Sequence, residues 1–487
     1  MALDFIQRVL SRDIAREAWI ADNTIRGEKI ARFRRYVDGE HDAQMTPEMR
    51  KLLRIRSDES GAPFTSNKSD DVIQTMADRL KVERIEAGTD DGTQWAADLL
   101  HANRFDSLQM DVHDSALTDG DTYILEEYNA DSQMVRFSHE LAWDGTNGML
   151  VMYASSYRSD LAAAIKVWTE STQENMDTVR VNVYYPDRVE KFIGSNGGDL
   201  VRYLDPAMPD VWPLPWKDSK GNPLGVPVVP FKNRARAKGD SGKSELENVL
   251  PLQDALNRTL HSTVMSTELT AFALYVAKGF IPKGGLTPGM IITITDKEGN
   301  ALSNQYPVDF SKLEGSDLTM FIKVAEYWEG QIESVSRTPN LSLNANLSGE
   351  AMKQSEVKLL GKVERFQVKG GNSWEDVMML AHRLQSAFGQ QPPAIKRFKC
   401  VWKDAQIRND KERVETAAKI VGDIGLEAFL RIIAPAYDWD EEDIIKILAE
   451  KANEANAQAM RQVEAFIKAR AGTDNRTTQP VIPALTS

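Results

Sequence analysis

The segment Ala237-Lys-Gly-Asp-Ser-Gly-Lys-Ser244 carries residue types that could hold a nucleotide. It approximates the phosphate-loop pattern G-x-x-x-x-G-K-[ST], with Ala in place of the first Gly. In that chemistry Lys243 would reach the β- and γ-phosphates and Ser244 would ligate magnesium. Such a loop should follow directly from a buried parallel strand. Here Phe231-Lys-Asn-Arg-Ala-Arg236 precedes it, behind Pro227 and Pro230. The simpler reading is a turn whose Ser244 caps a helix. His139-Glu140 opens like a zinc-protease motif, but Trp143 stands where the second His is required. The six histidines, at 41, 101, 113, 139, 261 and 382, show no ligand spacing. Asp119-Gly-Asp121 with Glu126 and Glu127 could gather a cation, yet a helix-to-strand turn accounts for the same residues. No G-x-S-x-G nucleophile pattern occurs. The expectation is a protein that is not an enzyme, with no catalytic residues, metal or cofactor.

Composition narrows the class further. Of 487 residues, 59 are Lys or Arg and 72 are Asp or Glu, for a net charge of −13. A hydrophobic content of 42% is that of a globular chain, and the length suggests about three domains or one elaborated assembly. Tight DNA binding needs Lys and Arg to displace condensed counterions, so the acidic balance argues against a grip on DNA. It does not argue against a protein that surrounds DNA without holding it. A single cysteine, Cys400, excludes an internal disulfide framework. The longest nearly apolar run, Leu269 to Ala277, is short of the ~20 residues that span a bilayer. Met1 to Leu10 carries Asp4 and Arg8 and reads as an amphipathic helix rather than a signal. A soluble protein of a reducing cytoplasm, without a membrane, is expected.

The elements follow from periodicity. Ile14, Ala18, Ala21, Ile25 and Ile30 space an N-terminal helix, and Val72, Ile73, Met76, Ala77 and Leu80 give a second over Lys68–Leu80. A third helix is expected from Thr93 to Leu117. Strands are expected at Thr122–Tyr128, Met149–Tyr157, Ile165–Thr169, Val179–Tyr185 and Val189–Ile193, with a hairpin turn at Ser195–Gly198. The Pro-rich stretch 205–230 marks a boundary. Beyond it, Ser244-Glu-Leu-Glu247 fits a capping box that starts a long helix reaching Val276, kinked at Pro251. Gly and Pro then punctuate a small β-rich insertion over 277–315. Leu318, Phe321, Ala325, Trp328, Ile332 and Val335 form a heptad-like seam on the next helix. Thr338 to Gly349 contains no charge, and a long helix from Glu350 to Phe388 follows, interrupted at Gly370-Gly371. Ile395–Trp402 is a candidate returning strand, residues from Asp410 onward are helical, and the last sixteen are a tail. The fold class is α+β.

The order of these elements, together with several local motifs, resembles a known family. The motifs are Val226-Pro-Val-Val-Pro-Phe231 with Asn233, Ser244-Glu-Leu-Glu-Asn-Val249, Pro251-Leu-Gln-Asp-Ala-Leu-Asn257, Leu347-Ser-Gly-Glu-Ala-Met352, Leu359-Leu-Gly-Lys-Val-Glu-Arg-Phe366 and Trp374-Glu-Asp-Val-Met-Met379. Tyr36-Val-Asp-Gly-Glu-His41 and Asn67-x-x-x-Asp71 with Arg79-Leu80 add an N-terminal signature. Across roughly residues 20–390 the chain resembles the portal, or head-to-tail connector, proteins of long-tailed double-stranded DNA bacteriophages.

That resemblance implies a homo-oligomeric, dodecameric ring at one capsid vertex of the virion, assembled in the host cytoplasm. Double-stranded DNA would pass through its channel in packaging and ejection. It implies a wing over 1–243 and 349–409, stem helices over 244–276 and 316–338, and a clip over 277–315. It implies further a tunnel loop over 339–348 and a crown over 410–471, while the Thr- and Pro-rich residues 472–487 are expected to be a disordered tail. Asn340, Leu341, Ser342, Leu343, Asn344, Ala345, Asn346, Leu347 and Ser348 would face DNA. Lys283, Met290, Ile292 and Lys297 would serve the clip, where the terminase large subunit and later the head-completion adaptor proteins dock. Major capsid and scaffolding proteins would be further partners. A P-loop NTPase using Lys243, or another virion structural protein, is the alternative.

Overall fold

A computed structural model describes residues 17–43, 45–52, 65–154, 161–170, 178–195, 199–206, 208–234, 241–271, 275–278, 291–294, 309–312, 318–339 and 349–405. In the C-terminal part it describes 417–419, 425–434, 439, 443–444 and 446–448. The chain divides into two compact units, Met1–Ala405 and Gln406–Ser487.

The first unit begins with helix α1 (Glu17–Val37). Its inward face is Gly27, Ile30, Phe33 and Tyr36, whereas Ile25 is exposed, contrary to the aliphatic stripe expected from the sequence. The reason is electrostatic. Arg26 and Arg34 turn inward to meet Asp121 and Asp119, and the helix rolls to bring them there. Short α2 (Pro47–Leu52) and α3 (Lys68–Ala77) follow, the latter capped by Asn67, whose side chain accepts from the Asp70 amide. The expected third helix is two helices, α4 (Asp90–Ala102) and α5 (Phe105–Asp119). They break at Arg104, which is left-handed (φ 51°). Asn103 makes the break affordable: its amide donates to the Leu99 and Val135 carbonyls, and its oxygen accepts from the Phe137 amide.

Three antiparallel arrangements are formed by the described strands within residues 82–232 and 399–402, and a fourth, mixed sheet is formed within residues 275–312. Strand β1 (Val82–Glu86) pairs with the last strand, β14 (Lys399–Trp402). Strands β2 (Asp121–Asn129), β3 (Met134–Leu141) and β10 (Val228–Lys232) form a sheet in the order β10-β2-β3. A meander of β4 (Gly148–Tyr153), β5 (Leu161–Glu170), β6 (Thr178–Tyr184), β7 (Arg188–Ser195) and β8 (Val201–Arg202) forms the third, with β9 (Leu214–Pro215) also on β7. The candidate strand at Ile395–Trp402 therefore returns to β1 rather than to the sheet of β2.

Helix α6 (Leu250–Ala271) starts six residues later than the capping-box reading placed it. Glu245 is drawn into a side-chain cluster and 245–249 form a turn, stapled where Ser244 Oγ accepts from the Leu246 amide. Pro251 thus lies in the first helical turn, where a missing N–H costs nothing, and starts the helix instead of kinking it. Beyond α6 the chain enters strand β11 (Tyr275–Lys278), which pairs in parallel with β12 (Ile291–Ile294) and antiparallel with β13 (Asp309–Lys312). The β-rich insertion is a three-stranded mixed sheet. Helix α7 (Leu318–Ser336) returns beside α6, with Ala325, Trp328 and Ile332 packed on the core while Met320, Ile322, Tyr327 and Val335 face outward.

Helix α8 (Gly349–Phe388) is 40 residues long, ~60 Å at 1.5 Å per residue, and runs unbroken through Gly370-Gly371. Those glycines are a groove and not an interruption. A Cβ on Gly371 would sit 3.1 Å from Trp402 Nε1, and one on Gly370 3.5 Å from Trp402 Cη2, so β14 can lie close against the helix. Trp374 on α8 is fully buried, with edge contacts to Phe105 and Phe231. No helix among the described residues is long and apolar enough to cross a membrane. The second unit contains a helix over 425–434, with Phe429, Leu430, Ile433, Ala434, Ala417 and Ile444 buried together.

Candidate functional site

The α6–sheet–α7 excursion is held at one end by two polar clusters. The first gathers the N-terminal signature residues onto the opening turns of α6. Ser66 N–H donates to Asn257 Oδ1 (3.0 Å), which fixes the orientation of that amide and turns its NH2 to His41 Nδ1 (2.9 Å). Asn67 donates to the Val37 carbonyl (2.7 Å), so its oxygen faces His41 Nε2 (3.3 Å). His41 must therefore be neutral with its proton on Nε2, and burial lowers its pKa in agreement. One turn earlier, Gln253 accepts from the Lys68 amide and donates to the Ser66 carbonyl. Asp254 accepts from Tyr36 Oη at 2.7 Å. Gln253 and Asn257 are fully buried, so each of these bonds replaces water that cannot enter.

The second cluster centres on Glu245, just before α6. It accepts from Asn233 Nδ2 (2.7 Å) and from Arg234 Nη2 (3.2 Å), and it pairs with Lys362 Nζ of α8 at 2.6 Å. Lys362 also donates to the Ser336 carbonyl at 2.8 Å, the C-terminal carbonyl of α7. Burial lowers the Lys362 pKa and Glu245 opposes that fall. Helix α7 ends beside it with Arg337 left-handed (φ 61°) and the Thr338 amide donating to the Glu333 carbonyl, a Schellman-type stop. Arg79 adds a third tie, bonding to Glu356 of α8 and to the Ala405 carbonyl.

Of the residues expected to act, Ile292 lies on β12, its backbone in register with Val276 of β11. Lys283, Met290, Lys297 and Asn340 to Ser348 lie outside the described residues. The phosphate-loop residues have other uses. Gly242 N–H, which would have to face a phosphate, donates to both oxygens of Asp121 (2.8 and 2.9 Å). Its missing side chain allows backbone contact, since a Cβ there would lie 1.9 Å from the Gly120 carbonyl oxygen. Lys243 pairs with Glu247 at 3.4 Å, and β10, the strand before the loop, is antiparallel to β2. Asp119 is held by Arg34, though burial still pushes its pKa up to about 6. Glu126 is fully buried on β2, and burial raises its pKa well above the usual carboxylate range. His139 bonds Thr122 Oγ1. Among the described residues no group of three or more His, Cys, Asp or Glu could hold a metal ion.

Lys362 and Glu245 stand inside sequence motifs that gave neither of them this pairing. A signal existed: Lys362 shares the buried face of α8 with Leu359, Val363 and Phe366, where a charge requires a partner.

Residues 19–457 match the family described as phage portal protein, SPP1 Gp6-like. The chain belongs to that family of phage portal proteins. Portal proteins of Mycobacterium phage D29 and Mycobacterium phage L5 are each 27% identical to it, over 227 and 212 residues. Those stretches cover 42% and 40% of this chain and 45% and 42% of the relatives' own length. Among solved structures, a chain of the virion of a native gene transfer agent particle matches with TM-score 0.36 and 10% identity. That match covers 83% of this chain and 99% of the other. A chain from the neck of the empty particle matches with TM-score 0.40 and 12% identity, covering 82% and 96%.

Proposed function

We propose that twelve copies of this chain form a ring at one capsid vertex, the channel through which double-stranded DNA is packaged and later ejected. The observation that carries the reading is family membership over nearly the whole chain, joined to a helix–sheet–helix excursion clamped at its base. In this reading α6 and α7 are the stem and the β11–β12–β13 sheet is the clip. Lys283, Met290, Ile292 and Lys297, all within residues 277–315, meet the terminase large subunit, then head-completion adaptors. Residues 340–348 face DNA, and α8 with the sheets of residues 82–232 forms the wing, which meets capsid and scaffolding proteins. Residues 410–471 form the crown. The chain performs no catalysis. An acidic protein with an uncharged Asn/Ser/Leu segment suits a duplex that must slide, because a basic grip would hold the phosphates.

Electron microscopy of the purified protein and of rings extracted from heads tests this. A twelvefold ring with a channel that admits duplex DNA is expected. A monomer or dimer in both preparations would overturn the proposal.

A further inference from the structure

We infer that Lys362 is a positioning residue that locks α8 to the wing-side ends of both stem helices, so that the three move as one body during DNA passage. The inference rests on the portal reading for its purpose and on the Glu245 cluster for its geometry. One side chain, on a residue 6% exposed, ties its own helix to two other segments. It lies on α8, pairs with Glu245 in the turn that leads into α6, and binds the carbonyl of Ser336 at the end of α7.

The surroundings show that packing alone does not require a charge here. Leu359, Val363 and Phe366 flank Lys362 on the buried face of α8, and a methionine would fill the same stem volume. What methionine lacks is the pair of directional bonds. The Ser336 carbonyl is an orphan acceptor at the negative end of α7, and a cation there satisfies both the acceptor and the helix dipole. Glu245 is fixed from behind, since its backbone amide donates to the Leu117 carbonyl and Asn233 holds its side chain. Lys369, two turns along α8, reaches the Asn233 carbonyl at 3.4 Å and repeats the tie. The lysine is thus anchored to a rigid block on one side and to the stem's second helix on the other. A buried ion pair contributes little net stability against an apolar isostere, so in this proposal its role is to hold one arrangement of the elements it joins. Here that arrangement sets the separation of Ser336 and Lys362, the positions from which the chain leaves α7 and has returned along α8.

The test is the isosteric pair Lys362→Met with Glu245→Gln in assembled rings. Spin labels go on Ser334→Cys of α7 and Val357→Cys of α8, both exposed, in a Cys400→Ala background diluted with unlabelled chains. Rings should form and melt within a few degrees of the parent. The label-to-label distance distribution should broaden at least twofold, and DNA packaged per head should fall tenfold or more. An unchanged distribution with normal packaging would overturn the inference. Failure of the pair to fold would overturn it also, by making the contact a plain requirement of the fold. If the parent itself forms no ring and packages nothing, the portal reading fails first, while the distance measurement on the free chain still decides the role of Lys362.

Discussion

His113 shows how a single side chain can record the pH limits of this fold. It is fully buried between α5 and α8, where Nδ1 donates to the Leu80 carbonyl (2.9 Å) and Nε2 accepts from Trp374 Nε1 (3.1 Å). Both bonds need the neutral ring, and burial lowers the pKa from 6.5 to about 4. The folded state therefore binds the proton less readily than the unfolded chain. This contribution is complete above pH 6.5 and is lost as the pH falls toward 4. At 1.36 kcal/mol per pKa unit the loss is roughly 3 kcal/mol. In His113→Gln, the stability lost in urea denaturation between pH 7 and pH 4 should be smaller by that amount. Lys243 is a contrasting case. Its pairing with Glu247 is half-exposed, so Lys243→Ala should cost no more than ~1 kcal/mol and leave DNA packaging intact. A packaging defect in that variant would restore the nucleotide-binding alternative.

Among the elements, α8 separates glycines of two kinds. Gly361 has no atom near its absent Cβ, so Gly361→Ala should stabilise the helix by about 1 kcal/mol, the usual propensity gain. Gly371→Ala meets the Trp402 indole at 3.1 Å and should give that gain back, leaving the variant below the parent in thermal melts. The same distinction explains what was legible beforehand. Long helices and the alternating strands of the meander were readable because their own residues carry the period. Strand β1 was not, because a register shift between Val82 and Arg84 breaks its alternation and leaves only Val82 and Ile85 buried. Strand β3 follows a turn without Gly or Pro, made instead by Asn129 accepting from the Asp131 and Ser132 amides. The α4–α5 break depends on Asn103 reaching Val135 and Phe137, contacts that exist only in the folded chain. The clamp on α6 was visible as motifs but not as a clamp, since His41, Asn67 and Asn257 are far apart until the fold joins them.

For the whole molecule the relevant quantity is the charge presented to a passing duplex. The chain is acidic overall, and Thr338 to Gly349 bears no charge at all. If residues 340–348 face DNA, one added lysine per subunit places a ring of cations where the phosphates must slide. Asn344→Lys or Asn346→Lys should leave ring formation unchanged while lowering the DNA packaged per head, measured by protection from nuclease. Normal packaging in both would count against that placement.

The pairing of β1 with β14 joins residues 82 and 402, and Arg79 bonds a carbonyl 326 residues away. A ribosome therefore exposes β1 long before its partner exists, and an unpaired strand edge invites pairing with a neighbouring nascent chain. On a polysome making many copies at once, the first strand must wait, unpaired, until residues 399–402 have been made. Chains that end before Trp402 keep that edge open and leave the Gly370-Gly371 groove bare, so premature termination would yield material that aggregates rather than a smaller working subunit.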